Sequence, residues 1–123
     1  MHFKAFIKRN LLQKSLTQNY ASNPTVMAWT DADKTIPASQ WDAKQKALND
    51  AVAAIMSTLA DDVERTTGQG NNPVMADFGT LFVQYQRVFA KALPLYVPSD
   101  FQLDGVASNM LFMMTQACQT VGA

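Results

Sequence analysis

The sequence is poor in the residues on which most protein chemistry depends: it holds one cysteine, Cys118, one histidine, His2, and one glutamate, Glu64. A lone cysteine rules out a disulfide within the chain. A nucleophilic serine or cysteine needs a positioned base, and His2 at the terminus is no such base. Cys118 therefore reads as a buried structural thiol. Zinc centres lack ligands, and di-iron bundles need several glutamates and Glu-x-x-His pairs that are missing here. Gly68-Gln69-Gly70 follows a helical pattern rather than a strand, so it reads as a helix stop and not as a phosphate-binding loop. No catalytic residues, no metal and no cofactor are expected, and the chain is not expected to be an enzyme.

Charge is also scarce. Charged residues make up 16% of the chain against 48% apolar residues, where about 25% charged is usual. Neutral Gln, Asn, Ser and Thr must supply much of the solubility. The balance is uneven along the chain. Lys4, Lys8, Arg9 and Lys14 precede the first acid, Asp31. This basic segment, residues 1–20, is expected to be a solvated, helical end; charge interrupts FKAFIKRNLLQK too often for a secretory leader. No apolar run approaches the roughly 20 residues of a membrane span. The basic head is short and carries no patterned aromatic platform, so nucleic acid is not an expected partner. Asp31, Asp33, Thr35 and Asp42 have the spacing of calcium-loop ligands, but Ile36 stands where the sharp turn requires glycine, and a polar turn before a helix is the preferred reading.

What is present is helical periodicity. Over 39–66, Ser39 is the expected N-cap, and Trp41, Leu48, Val52, Ile55, Met56, Leu59 and Val63 form an apolar stripe. Gly68 and Pro73 end that helix, and Asn72-Pro73 starts the next. Over 73–93, Phe78, Leu81, Phe82, Tyr85, Val88, Phe89, Ala92 and Leu93 make an aromatic-rich stripe stopped by Pro94. Over 100–121, Leu103, Val106, Met110, Met113, Ala117 and Val121 form one stripe, and Leu111, Met114 and Cys118 a second. With Phe112, this helix is apolar nearly all round at 110–114, so it is either central or incompletely covered.

The expected fold is all-α: one domain built as an antiparallel three- to four-helix bundle, with an extended segment around residues 20–38 packing Val26, Met27 and Trp29 against it. Two features could bind a partner. Met110, Phe112, Met113 and Met114 form a methionine-rich cluster adaptable to an irregular partner. Tyr96, between Pro94 and Pro98, would be displayed on a rigid loop.

The stretches TIPASQWDAKQKA, NNPVMADFGTLFVQYQRVFAKALPLYVPSD and TQACQTVG resemble a group of small helical extracytoplasmic domains in mycobacterial and related actinobacterial envelope or secreted proteins of unassigned function. The likeness spans residues 24–122 and contains no catalytic motif. It implies a place in the cell envelope or outside the cell; the lack of an evident export signal leaves the cytoplasm as the alternative. The function expected is that of a non-enzymatic binding or accessory domain acting through contact with another protein. The alternative is a carrier holding an apolar small molecule or lipid between the methionine-rich and phenylalanine-rich helices.

Overall fold

A computed structural model describes residues 16–67 and 73–122, with the side chains at 67, 75 and 117–122 outside the description. The basic residues of the first 15, Gly68, Asn72 and the Cys118 side chain therefore lie outside it. Every regular element among the described residues is helical. These are α1 (residues 16–22), α2 (Pro24–Asp31), α3 (Ala43–Thr67), α4 (Pro73–Ala92) and α5 (Phe101–Gly122), with single 3₁₀ turns at Ala38–Gln40, Leu93–Leu95 and Pro98–Asp100.

The all-α bundle is as expected, but the segment expected to be extended is not. Asn23 takes an extended conformation and its side-chain oxygen accepts from the backbone N–H groups of Thr25 at 2.9 Å and Val26 at 3.4 Å. Pro24 then stands at the start of a helix, where it has no N–H to leave unpaired. The eight residues of α2 carry Val26 and Trp29, three positions apart, into the core. At its other end the Lys34 ammonium donates to the carbonyl oxygens of Trp29, Thr30 and Ala32, satisfying groups the helix leaves open. Only the stretch from Ala32 to Pro37 is irregular.

α3 starts at Ala43 and not at residue 39, and its cap is Asp42 rather than Ser39. The Asp42 carboxylate accepts from the Gln45 N–H at 2.8 Å while the Gln45 side chain accepts from the Asp42 N–H at 2.9 Å, a reciprocal capping box. Ser39 instead lies in the 3₁₀ turn, because Trp41 is held extended with its indole N–H donating to the Ile36 carbonyl at 3.0 Å.

α3, α4 and α5 pack in sequence as antiparallel neighbours. Rising residue numbers on α3 meet falling numbers on α4 in two core clusters. One joins Val26, Trp29, Val52, Met56, Phe89, Leu93 and Tyr96; the other joins Leu59, Val63, Phe82, Val83, Ala107 and Met114. Leu16 and Tyr20 of α1 pack against these clusters from the side. Across α3 and α4, Arg87 reaches Asp61 at 2.7 Å and Glu64 at 3.0 Å. These charges are solvent-exposed and contribute little beyond fixing the mutual orientation of the helices.

Tyr96 joins the two ends of this arrangement. Its hydroxyl donates to the Lys34 carbonyl at 2.6 Å and its own carbonyl accepts from the Ala38 N–H at 2.8 Å. Its ring stacks on Trp41 at 5.8 Å and meets Phe89 edge-on at 6.4 Å. Removing the hydroxyl in Tyr96→Phe should cost about 1 kcal/mol, and Tyr96→Ala about 3–5 kcal/mol; urea unfolding followed by circular dichroism measures both, and equal losses would contradict the two roles.

Candidate interaction surface

The residues singled out as a binding surface divide by helical phase. Tyr96 is 2% exposed and Met114 is fully buried, so neither is available to a partner. Tyr96 is inside because its hydroxyl finds the Lys34 carbonyl, far away in sequence, and its ring lies between Trp41 and Phe89. Met114 falls on the same side of α5 as Ala107, toward Leu59, Val63 and Phe82. Met110 is half-buried against that cluster. Phe112 and Met113 remain outside, at 63% and 43% exposed, and Phe101 and Val106 lie exposed on the same helix. By helical phase Phe101 and Phe112 lie along one edge of the outer side of α5 and Val106 and Met113 along the other, with Gln102, Asn109 and Gln116 between them.

Polar groups near this helix are mostly neutral and paired. The Trp29 indole N–H donates to Asn49 at 2.9 Å, and the Asn49 amide donates to the Gln45 carbonyl at 2.8 Å. Gln86, buried on α4, bonds the Tyr20 hydroxyl, and burial pushes the Tyr20 phenol up to about 12. Asp104 is the charged member. Burial raises its carboxyl to about 6, with partial relief from the nearby Lys34 ammonium. Lys34 lies 4.2 Å from the Trp29 ring centroid and 5.9 Å from that of Phe101. Its own burial lowers its pKa. Sequence reasoning passed over this group because Lys34, Trp29, Phe101 and Asp104 share no local pattern.

The calcium-spaced residues have other tasks. The Asp33 carboxylate accepts from the Thr35 N–H at 2.8 Å and its hydroxyl at 2.6 Å, which lowers the Asp33 pKa. Asp42 caps α3. Two open surface grooves are described. One of about 310 Å³ runs between α3 and α4 beside Glu64, Thr80 and Arg87. One of about 420 Å³ runs between α1 and α3 beside Leu16, Tyr20 and Ile55. Neither of these two lies between α4 and α5, where the alternative reading would place an apolar ligand, and there Phe82, Ala107 and Met114 fill the interior. No described helix is long and apolar enough to cross a membrane.

The described residues form an all-α bundle with exposed apolar residues on α5. Residues 12–122 match the family described as Mycobacterial ESX-1 associated protein, and the chain belongs to that family. It is 32% identical over 91 residues to an uncharacterized protein of Mycolicibacterium smegmatis (strain MKD8), an alignment covering 74% of this chain and 24% of that protein. The chain thus corresponds to about a quarter of that relative's length. No solved structure matches it.

The Asp104 environment has a testable sign. A carboxyl whose pKa is higher in the fold than in the unfolded chain stabilises most below its unfolded value. That contribution is lost as pH rises through about 6. Asp104→Asn should therefore gain stability over wild type between pH 4 and 7, reaching about 1–2 kcal/mol at the upper end after allowing for solvent screening. Thermal melts of both proteins across that range give the difference curve; a flat one would contradict the assignment.

Proposed function

We propose that the chain is a non-enzymatic accessory domain of an ESX-1 associated, secretion-related protein, acting through contact with another protein at the outer face of α5. The observation that carries this reading is the exposure of Phe112 and Met113 on a helix whose opposite face is fully committed to the core. An exposed phenylalanine beside a flexible thioether suits an apolar pocket on a partner, because both bury large areas and the methionine adapts its shape. Family membership supports the secretion-related context. The shortage of histidine, cysteine and glutamate supports a role in recognition over one in catalysis. The cell envelope is the compartment that fits this reading, the family being mycobacterial and ESX-1 associated.

The test uses Phe112→Ser with Met113→Ser in the full-length protein of the native organism. Both side chains are exposed, so the melting temperature of the purified double variant should stay close to wild type. Photo-crosslinking from an adjacent exposed position, Asn109, should give a defined adduct with wild type that is lost in the double variant. The same variant should fail to complement a deletion strain for ESX-1 dependent export. Retention of both the adduct and complementation would overturn the reading.

A further inference from the structure

A second apolar face lies on α4. Val74, Leu81 and Val88 recur every seven residues and are exposed, and Leu95, in the following 3₁₀ turn, continues the series at 83% exposed. Phe78, Tyr85 and Ala92 alternate with them and are half-buried. The resulting spacings of four and three across 74–95 are those of a coiled-coil seam. Arg87 faces α3, and Phe78 and Tyr85 pack against the cluster that joins Leu59 and Val63 of α3 with Ala107 and Met114 of α5. Helical phase leaves Leu81 and Val88 facing neither helix.

Alongside this seam runs a polar series with the same repeat: Asp77, Gln84 and Lys91, all exposed. Asp77 and Lys91 take part in none of the ion pairs among the described residues. An acid stands at one end, a base at the other, and a neutral amide at the midpoint. Such a series is its own complement when reversed. Parallel pairing with an identical helix would set acid against acid and base against base. Antiparallel pairing sets Asp77 beside Lys91 of the partner subunit, and positions flanking a seam select partner and orientation in this way.

We infer that the outer face of α4 packs antiparallel against the same face of a second copy of this chain, about a two-fold axis passing at Gln84. In that register Leu81 lies beside Val88 of the partner subunit, so the apolar series and the charged series are satisfied together. The interface is isologous and closes, which gives a dimer and not a fibre. It uses a different face from the Phe112–Met113 patch and does not depend on it.

Sedimentation equilibrium of the full chain at increasing concentration should show a monomer–dimer equilibrium. Asp77→Lys alone turns two attractive pairs into repulsive ones and should weaken the dimer about tenfold; Lys91→Asp alone should do the same. The combined swap Asp77→Lys with Lys91→Asp restores the complement and should recover wild-type dimerisation, a rescue that neither misfolding nor an unrelated interface would produce. In a Cys118→Ser background, Gln84→Cys should form a disulfide-linked dimer on mild oxidation, while Thr80→Cys should form far less. A wild-type chain that stays monomeric at every concentration would overturn the inference and assign the seam to a different chain. A dimer indifferent to both single charge changes would overturn it equally. The Phe112→Ser and Met113→Ser double variant should dimerise as wild type does, which keeps failure here distinct from failure of the proposed partner contact.

Discussion

The placement of Tyr96 is the constraint on which the rest of the arrangement depends. Pro94 prevents α4 from continuing, and the 3₁₀ turns at Leu93–Leu95 and Pro98–Asp100 carry the chain round to α5. In that reversal one side chain reaches back to residues 34–41. The hydroxyl takes the Lys34 carbonyl, the backbone carbonyl takes the Ala38 N–H, and the ring fits between Trp41 and Phe89. Lys34 is fixed as a consequence. From there its ammonium closes the end of α2 and lies over the Trp29 ring. Trp29 in turn donates to Asn49 on α3 and meets Phe89 and Phe101 edge-on. The irregular stretch between α2 and α3 is thus held by specific polar contacts with groups distant in sequence.

The scarcity of charge shapes how the interior is specified. Asn49, Gln86 and the Tyr20 and Tyr96 hydroxyls are buried or partly buried, and each finds a partner. Neutral amides and phenols can be satisfied inside a bundle at small cost, whereas a buried charge must be paired or neutralised. Asp104 illustrates the second case, since burial shifts its carboxyl toward the neutral form despite Lys34 nearby. The paired cations Arg65 and Arg87 stay at the surface, each within reach of a carboxylate on α3.

How far the fold was legible follows from what each element depends on. The stripes over 39–66, 73–93 and 100–121 were legible because apolar periodicity is local, and they correspond to α3, α4 and α5. α2 was missed although Asn23-Pro24 has the same cap-then-proline logic as Asn72-Pro73. With only eight residues it shows too few turns for periodicity to register. Ser39 and Asp42 both satisfy a capping pattern; the choice was made by Trp41, whose indole bond to Ile36 holds it out of the helix. Tyr96 between two prolines looked like a displayed aromatic, since its hydroxyl partner is far off in sequence. Of the residues expected to meet a partner, Phe112 and Met113 are exposed, Met110 is half-buried, and Tyr96 and Met114 are buried. Two apolar stripes share α5, and only its packing against α4 decides which one is inside.

That ambiguity has a physical origin that bears on function. A helix between two neighbours can bury only part of its circumference, and α4, between α3 and α5, carries apolar residues over more than that arc. α5 has the same excess on its outer side. Stability alone does not ask for Leu81, Val88, Phe112 or Met113 on the surface, because exposed positions of a helix accept polar residues with good helix propensity at no cost to the core. An apolar residue at an exposed position brings a risk of non-specific association, and a surface this low in charge offers little repulsion to oppose it. The two helices resolve that risk differently. On α4 the apolar positions are flanked by charges of opposite sign at opposite ends, a device that selects one orientation of one complementary helix. On α5 the exposed residues around Phe112 and Met113, among them Ser108, Asn109 and Gln116, are uncharged, so the contact proposed there would rest on shape and apolar area and not on electrostatic pairing.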